Sequence, residues 1–108
     1  MPAMSEPNTT AEPSRAQVDA IEQPLMLEFG TSWCGWCRRA QPHIADALDA
    51  RPGIRHIKVE DGPGQPLGRS FGVKLWPTLV FMKQGQEVAR LVRPADAQPI
   101  REALEKLG

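Results

Sequence analysis

The sequence predicts an α/β fold: a central mixed β-sheet of about four strands with helices on both of its faces. Three observations carry this expectation. Short apolar runs suited to buried strands recur at 25–29, 54–59, 77–82 and 87–92. Stretches with the three-and-four spacing of helices, 14–23, 34–50 and 97–107, lie between or beside them. The resulting order, α β α β α β β α, contains a βαβ unit followed by a hairpin and a helix, so the sheet has parallel and antiparallel parts. A chain of 108 residues fits one domain, and its 41% hydrophobic content supplies a core.

The opening "MPAMSEPNTTAEPSRA" is polar and rich in proline, serine and threonine. It predicts a disordered tail over 1–13, ahead of a folded domain over 14–108. It lacks the basic start and apolar stretch of a secretory signal, so a cytoplasmic location is expected. No run of about 18 apolar residues predicts a membrane span. Ser14 caps the first helix, with Val18 and Ile21 on one face, and Pro24 ends it. "LMLEF" (25–29) is an apolar strand with one acid inside. From 34 to 50, Ala40, Ile44, Ala47 and Leu48 mark a helical stripe in which Pro42 should introduce a kink. "RPG" stops that helix, and "IRHIKV" (54–59) is the next strand. "EDGPGQP" reads as a loop, with a short helical turn over 67–71 after it. "PTLVFM" (77–82) and "EVARLV" (87–92), joined by "KQGQ", read as an antiparallel hairpin. Asp96 caps the last helix, which turns Ile100, Leu104 and Leu107 inward.

Thirteen basic residues balance thirteen acidic ones. Nothing draws such a chain to nucleic acid, and a monomer is the expected state. The chemistry concentrates in its two cysteines, Cys34 and Cys37. Two thiols are too few for a four-thiolate zinc site and too close in sequence to staple a fold. Cys34 falls where a strand has ended and a helix begins. Unpaired N–H groups and the positive end of the helix dipole should favour its thiolate, with Arg38 and Arg39 adding charge one turn on. Cys37, three residues later, lies on the same helical face, within reach of the first sulfur. Gly35 leaves room for a partner backbone. The spacing alone also suits half of a metal site shared across a dimer. His43 and His56 read as surface residues.

Strand, Trp-Cys-x-x-Cys, helix, then a hairpin opening in "WPT" resembles the thioredoxin family. The resemblance runs from about Leu25 to the C-terminus. "F-x-x-x-W-C-G-x-C" stands at 29–37, and Pro42 matches the family's proline within the helix. By the same resemblance, Pro77 is the cis-proline facing the cysteines. Glu28 matches the buried acid, and Lys58 the lysine that tunes it. Gly72 resembles the glycine before the cis-proline loop. The departures are specific. Trp36 replaces the usual proline, Glu28 the usual aspartate, and Trp76 a small aliphatic residue. The glycine expected after the hairpin is missing, with Arg93 and Pro94 nearby. The first edge strand has no clear match in the polar N-terminus.

The resemblance implies thiol–disulfide exchange with no cofactor beyond a Cys34–Cys37 disulfide. Cys34 attacks a partner disulfide and Cys37 resolves the mixed disulfide, with Glu28 as a proton shuttle. Burial should raise the pKa of Glu28 unless Lys58 offsets it. Trp33, Trp36 and Trp76 should line an apolar docking surface for disulfide-containing proteins. A reductase of the thioredoxin-reductase type is the expected electron donor. A redox-sensing binding module and a small metal-binding protein are the alternatives.

Overall fold

The computed structural model describes residues 5–6 and 12–108. Among the described residues, five strands form one sheet in the order β1-β3-β2-β4-β5. β2 (Leu25–Gly30) runs parallel to β3 (Arg55–Glu60) and antiparallel to β4 (Thr78–Lys83). β5 (Gln86–Val92) completes the hairpin with β4. Four strands are those expected from the sequence. The fifth, β1 (Ser5–Glu6), pairs parallel with the outer edge of β3. It lies inside the stretch expected to be a tail, of which residues 1–4 and 7–11 fall outside the described residues.

Helices cover both faces, and those that open after Ser14, Cys34 and Asp96 are each capped by that residue's side chain. α1 (Arg15–Asp19) opens on Ser14, whose hydroxyl accepts from Gln17 N–H while the Gln17 side chain accepts from Ser14 N–H. α4 (Ala97–Glu105) opens on Asp96, which accepts from Gln98 N–H. α2 (Gly35–Asp49) opens on Cys34 and carries Pro42 within one continuous helix. α3 (Pro66–Ser70) is a single short turn. None of these helices is long and apolar enough to cross a membrane.

The strand period of two divides the core. On one face Met26, Leu79 and Phe81 pack against Ala40, Ile44 and Ala47 of α2 and Ile100 and Leu104 of α4. On the other, Leu25, Leu27, Phe29, Ile57 and Val59 pack against Val18, Leu67 and Phe71. Glu28 and Lys58 are register partners. By parity Glu28 falls on the α2 side of the sheet, and His56 and Lys58 fall there too. The fold therefore brings three polar side chains beneath the first turns of α2, close to the cysteines.

Candidate active site

Cys34 is the N-cap of α2, with extended backbone (φ −81, ψ 123). Its sulfur takes the place of a capping oxygen and accepts from the N–H of Cys37 at 3.4 Å. Both cysteines are free thiols and both are buried. Burial alone would raise the pKa of Cys34. The Cys37 N–H and side chain, the Trp36 N–H and the charge of Arg93 outweigh it and bring the pKa below the usual 9.0. The contributing guanidinium is that of Arg93, in the loop after β5, rather than Arg38 or Arg39 of the helix. Cys37 shifts the other way, pushed up to about 11. Burial is the main cause, with Cys34 and the charge of Glu28 adding to it and the Thr31 N–H opposing it. One thiol is thus primed and its neighbour held protonated.

Gly30 makes the close approach possible. A Cβ at this position would stand 2.6 Å from Cys37 Sγ, so only glycine leaves room for the sulfur at the end of β2. Opposite, the peptide between Trp76 and Pro77 is cis, and Pro77 is buried. Around this centre Trp33 and Trp36 are 68% and 48% exposed, large values for tryptophan that mark an open apolar rim. Trp76 is half-buried, its indole N–H donating to Asp61 Oδ2 at 2.8 Å, and Trp33 stands edge-on to it at 5.7 Å. Gly35 is exposed at the first position of α2, with open space where a Cβ would stand.

Glu28 is 4% exposed, and its environment decides the balance between burial and Lys58 that the sequence leaves open. Burial does push its pKa up, but hydrogen bonds from His56 and Gln41 and the charges of His56 and Lys58 more than reverse this. The carboxyl lies below its usual 4.5 and is ionised at neutral pH. Gln41 Nε2 donates to Oε2 at 2.6 Å, and His56 Nε2 lies 2.7 Å from Oε1. Lys58 reaches the acid through the amide, Nζ donating to Gln41 Oε1 at 3.3 Å. His56 is therefore a buried partner of the acid and not a surface residue. Gln41 also donates to the Cys37 carbonyl at 3.1 Å, tying the helix turn to the acid. A cavity of about 270 Å³ lined by Glu28, Gly30, Cys37, Arg38, Gln41 and Lys58 joins the resolving thiol to this network. Among the described residues, no group of three or more His, Cys, Asp or Glu is placed to hold a metal.

The Thioredoxin family model matches residues 7–106. The chain belongs to the thioredoxin family. Thioredoxin 2 from Pseudomonas aeruginosa PAO1, solved in its reduced form, is 52% identical over 90% of each chain, with a TM-score of 0.81. Thioredoxin from Geodia cydonium is 26% identical over 91% of this chain and 92% of its own length. Thioredoxin H-type 1 from Nicotiana tabacum is 35% identical over 63% of this chain and 54% of its own. Thioredoxin-2 from Pyricularia oryzae is 32% identical over 63% of this chain and 40% of its own. The chain thus spans about half the length of several curated relatives it matches. Thioredoxins are disulfide oxidoreductases, and the Cys34–Cys37 dithiol fits that chemistry.

Proposed function

We propose that this chain reduces disulfides in protein partners by thiol–disulfide exchange, with no cofactor other than its own cysteine pair. One observation carries the reading: two free thiols share the first turn of α2, Cys34 Sγ capping the helix and accepting from Cys37 N–H at 3.4 Å, an arrangement that lowers the pKa of Cys34 and raises that of Cys37. The Cys34 thiolate attacks a partner disulfide, forming a mixed disulfide and releasing the first partner thiolate. Cys34 then no longer acts on Cys37, which removes part of what held the second thiol protonated. Cys37 loses its proton and attacks Cys34 Sγ. The Cys34–Cys37 bond forms, the bond to the partner breaks, and the second partner thiolate takes up a proton.

The ionised Glu28 accepts the Cys37 proton only in passing. Its pKa is lowered while that of the resting Cys37 is raised to about 11, so full transfer is uphill. The carboxylate carries the proton across the shared cavity and does not store it. Trp33, Trp36 and Trp76 form the docking rim beside Pro77, whose neighbouring backbone offers an extended partner chain strand-like contacts. A reductase of the thioredoxin-reductase type restores the dithiol, and a reducing compartment, the cytoplasm, keeps it in working form.

The test is turnover of insulin disulfides with dithiothreitol as the terminal reductant. Wild type should turn over, and Cys34→Ser should abolish the rate. Cys37→Ser should accumulate a mixed disulfide through Cys34, visible by mass spectrometry. A fully active Cys37→Ser would refute the resolving role.

A further inference from the structure

Arg93 lies in the left-handed region with φ 52, a conformation that suits glycine and that longer side chains adopt at a cost. An arginine held there is explained by what it touches. Its N–H donates to Pro77 O at 2.9 Å and its Nε donates to Trp76 O at 2.9 Å, so one residue grips both sides of the cis peptide. Its guanidinium then lies over the Trp36 ring, 4.6 Å from the centroid, and the guanidinium of Arg39 lies over the same ring at 4.6 Å. Two cations from different elements, the β5–α4 loop and α2, thus meet on the exposed tryptophan beside the attacking sulfur.

Neither guanidinium has a carboxylate partner among the described residues, although the chain carries 13 acidic residues. Arg93 has committed Nε to a carbonyl and leaves its terminal nitrogens free for a ligand; Arg39 is exposed. The fork geometry of a guanidinium suits a carboxylate, and stacking on an indole holds it in place. Thiolate stabilisation does not account for the pair. Arg93 contributes to it, while Arg39 is absent from its causes and still stacks on Trp36.

We propose that Arg39, Trp36 and Arg93 form a recognition edge for a carboxylate. The favoured partner is then a protein whose disulfide-bearing segment carries Asp or Glu beside the attacked cysteine. This rests on the disulfide-exchange reading and adds a substrate class to it. Local charge supplies the selectivity in a chain of zero net charge.

The test uses two peptides, each with one internal disulfide, identical except for Glu or Gln next to the attacked cysteine. Wild type should reduce the Glu peptide with a kcat/KM about fivefold higher, the size an exposed ion pair supports. The preference should shrink as salt rises. In Arg39→Gln/Arg93→Gly the ratio should fall to one. Glycine takes the backbone of position 93 without strain, so that variant should fold. Arg39→Lys/Arg93→Lys should keep part of the preference. Equal kcat/KM values in wild type would overturn the proposal and leave disulfide exchange standing. So would a preference that survives the double substitution. A glutathione mixed disulfide reduced faster than either peptide would overturn it in favour of a small anionic thiol. If neither peptide nor insulin is reduced, the exchange reading itself falls and takes this one with it.

Discussion

Replacing Gln41 by leucine tests the account of the buried acid. Gln41 Nε2 donates to Glu28 Oε2 at 2.6 Å and its Oε1 accepts from Lys58, so the substitution cuts one donor and the link to the lysine. A hydrogen bond to a charged group contributes about 1.5–3 kcal/mol, and the carboxylate keeps its His56 partner, which places the loss near the middle of that range. The variant should therefore lose about 2 kcal/mol at pH 7, near 10 °C in Tm for a domain of this size. The loss should depend on pH in a definite direction. The folded pKa of Glu28 is lowered from 4.5, so its contribution is present above 4.5 and disappears as pH falls through the folded value. In the variant, burial is less opposed and that pKa rises. The gap between the two proteins should then be constant above about pH 6 and shrink below about pH 4.5. Gln41 does not titrate, so the trend reports Glu28. Urea unfolding of both proteins from pH 7 to pH 3.5 reads it. A gap unchanged across that range would mean that Gln41 acts by packing alone, and the ionised-acid reasoning would be wrong.

Alkylation with iodoacetamide should separate the two thiols. Cys34 should show a titration midpoint below pH 9, while Cys37, with a pKa of about 11, is about one part in 10,000 thiolate at pH 7. Peptide mapping of the modified sites checks this, and equal labelling of both at pH 7 would contradict it. Gly30→Ala should push Cys37 Sγ from its place, because the added Cβ would lie 2.6 Å from it. The expected cost is about 1–3 kcal/mol, together with slower closure of the Cys34–Cys37 disulfide, followed by stopped-flow fluorescence.

The fold was legible because strand and helix periods are clean between residues 14 and 108. Apolar alternation and capping residues such as Ser14 and Asp96 marked most elements to within a few residues. Cys34 and Cys37 were legible from spacing and position. The second layer of the site was not. The parity that sets Lys58 opposite Glu28 also turns His56, two residues earlier in β3, to the same side. A histidine within an apolar strand is therefore a signal that the acid's partner lies inside. Gln41 follows Cys37 by four residues, on the same stripe of α2, and only the packed helix reveals its bond to the acid. With these donors unseen, only Lys58 stands against burial in the sequence, which leaves the direction of the Glu28 pKa open. Arg93 was equally opaque: its backbone geometry depends on the hairpin's return past Pro77. The two-residue strand β1 is held by the edge of β3, and polar residues carry no apolar pattern that would mark it.

The central claim is that Cys34 and Cys37 interconvert between dithiol and disulfide. Equilibrating the protein in dithiothreitol redox buffers, with tryptophan fluorescence as the readout, tests it most directly. The account predicts a single two-electron transition, lost in Cys34→Ser and in Cys37→Ser, at a potential reducing enough to act on protein disulfides. A fluorescence signal that stays flat while the thiols remain free under oxidising buffers would contradict it.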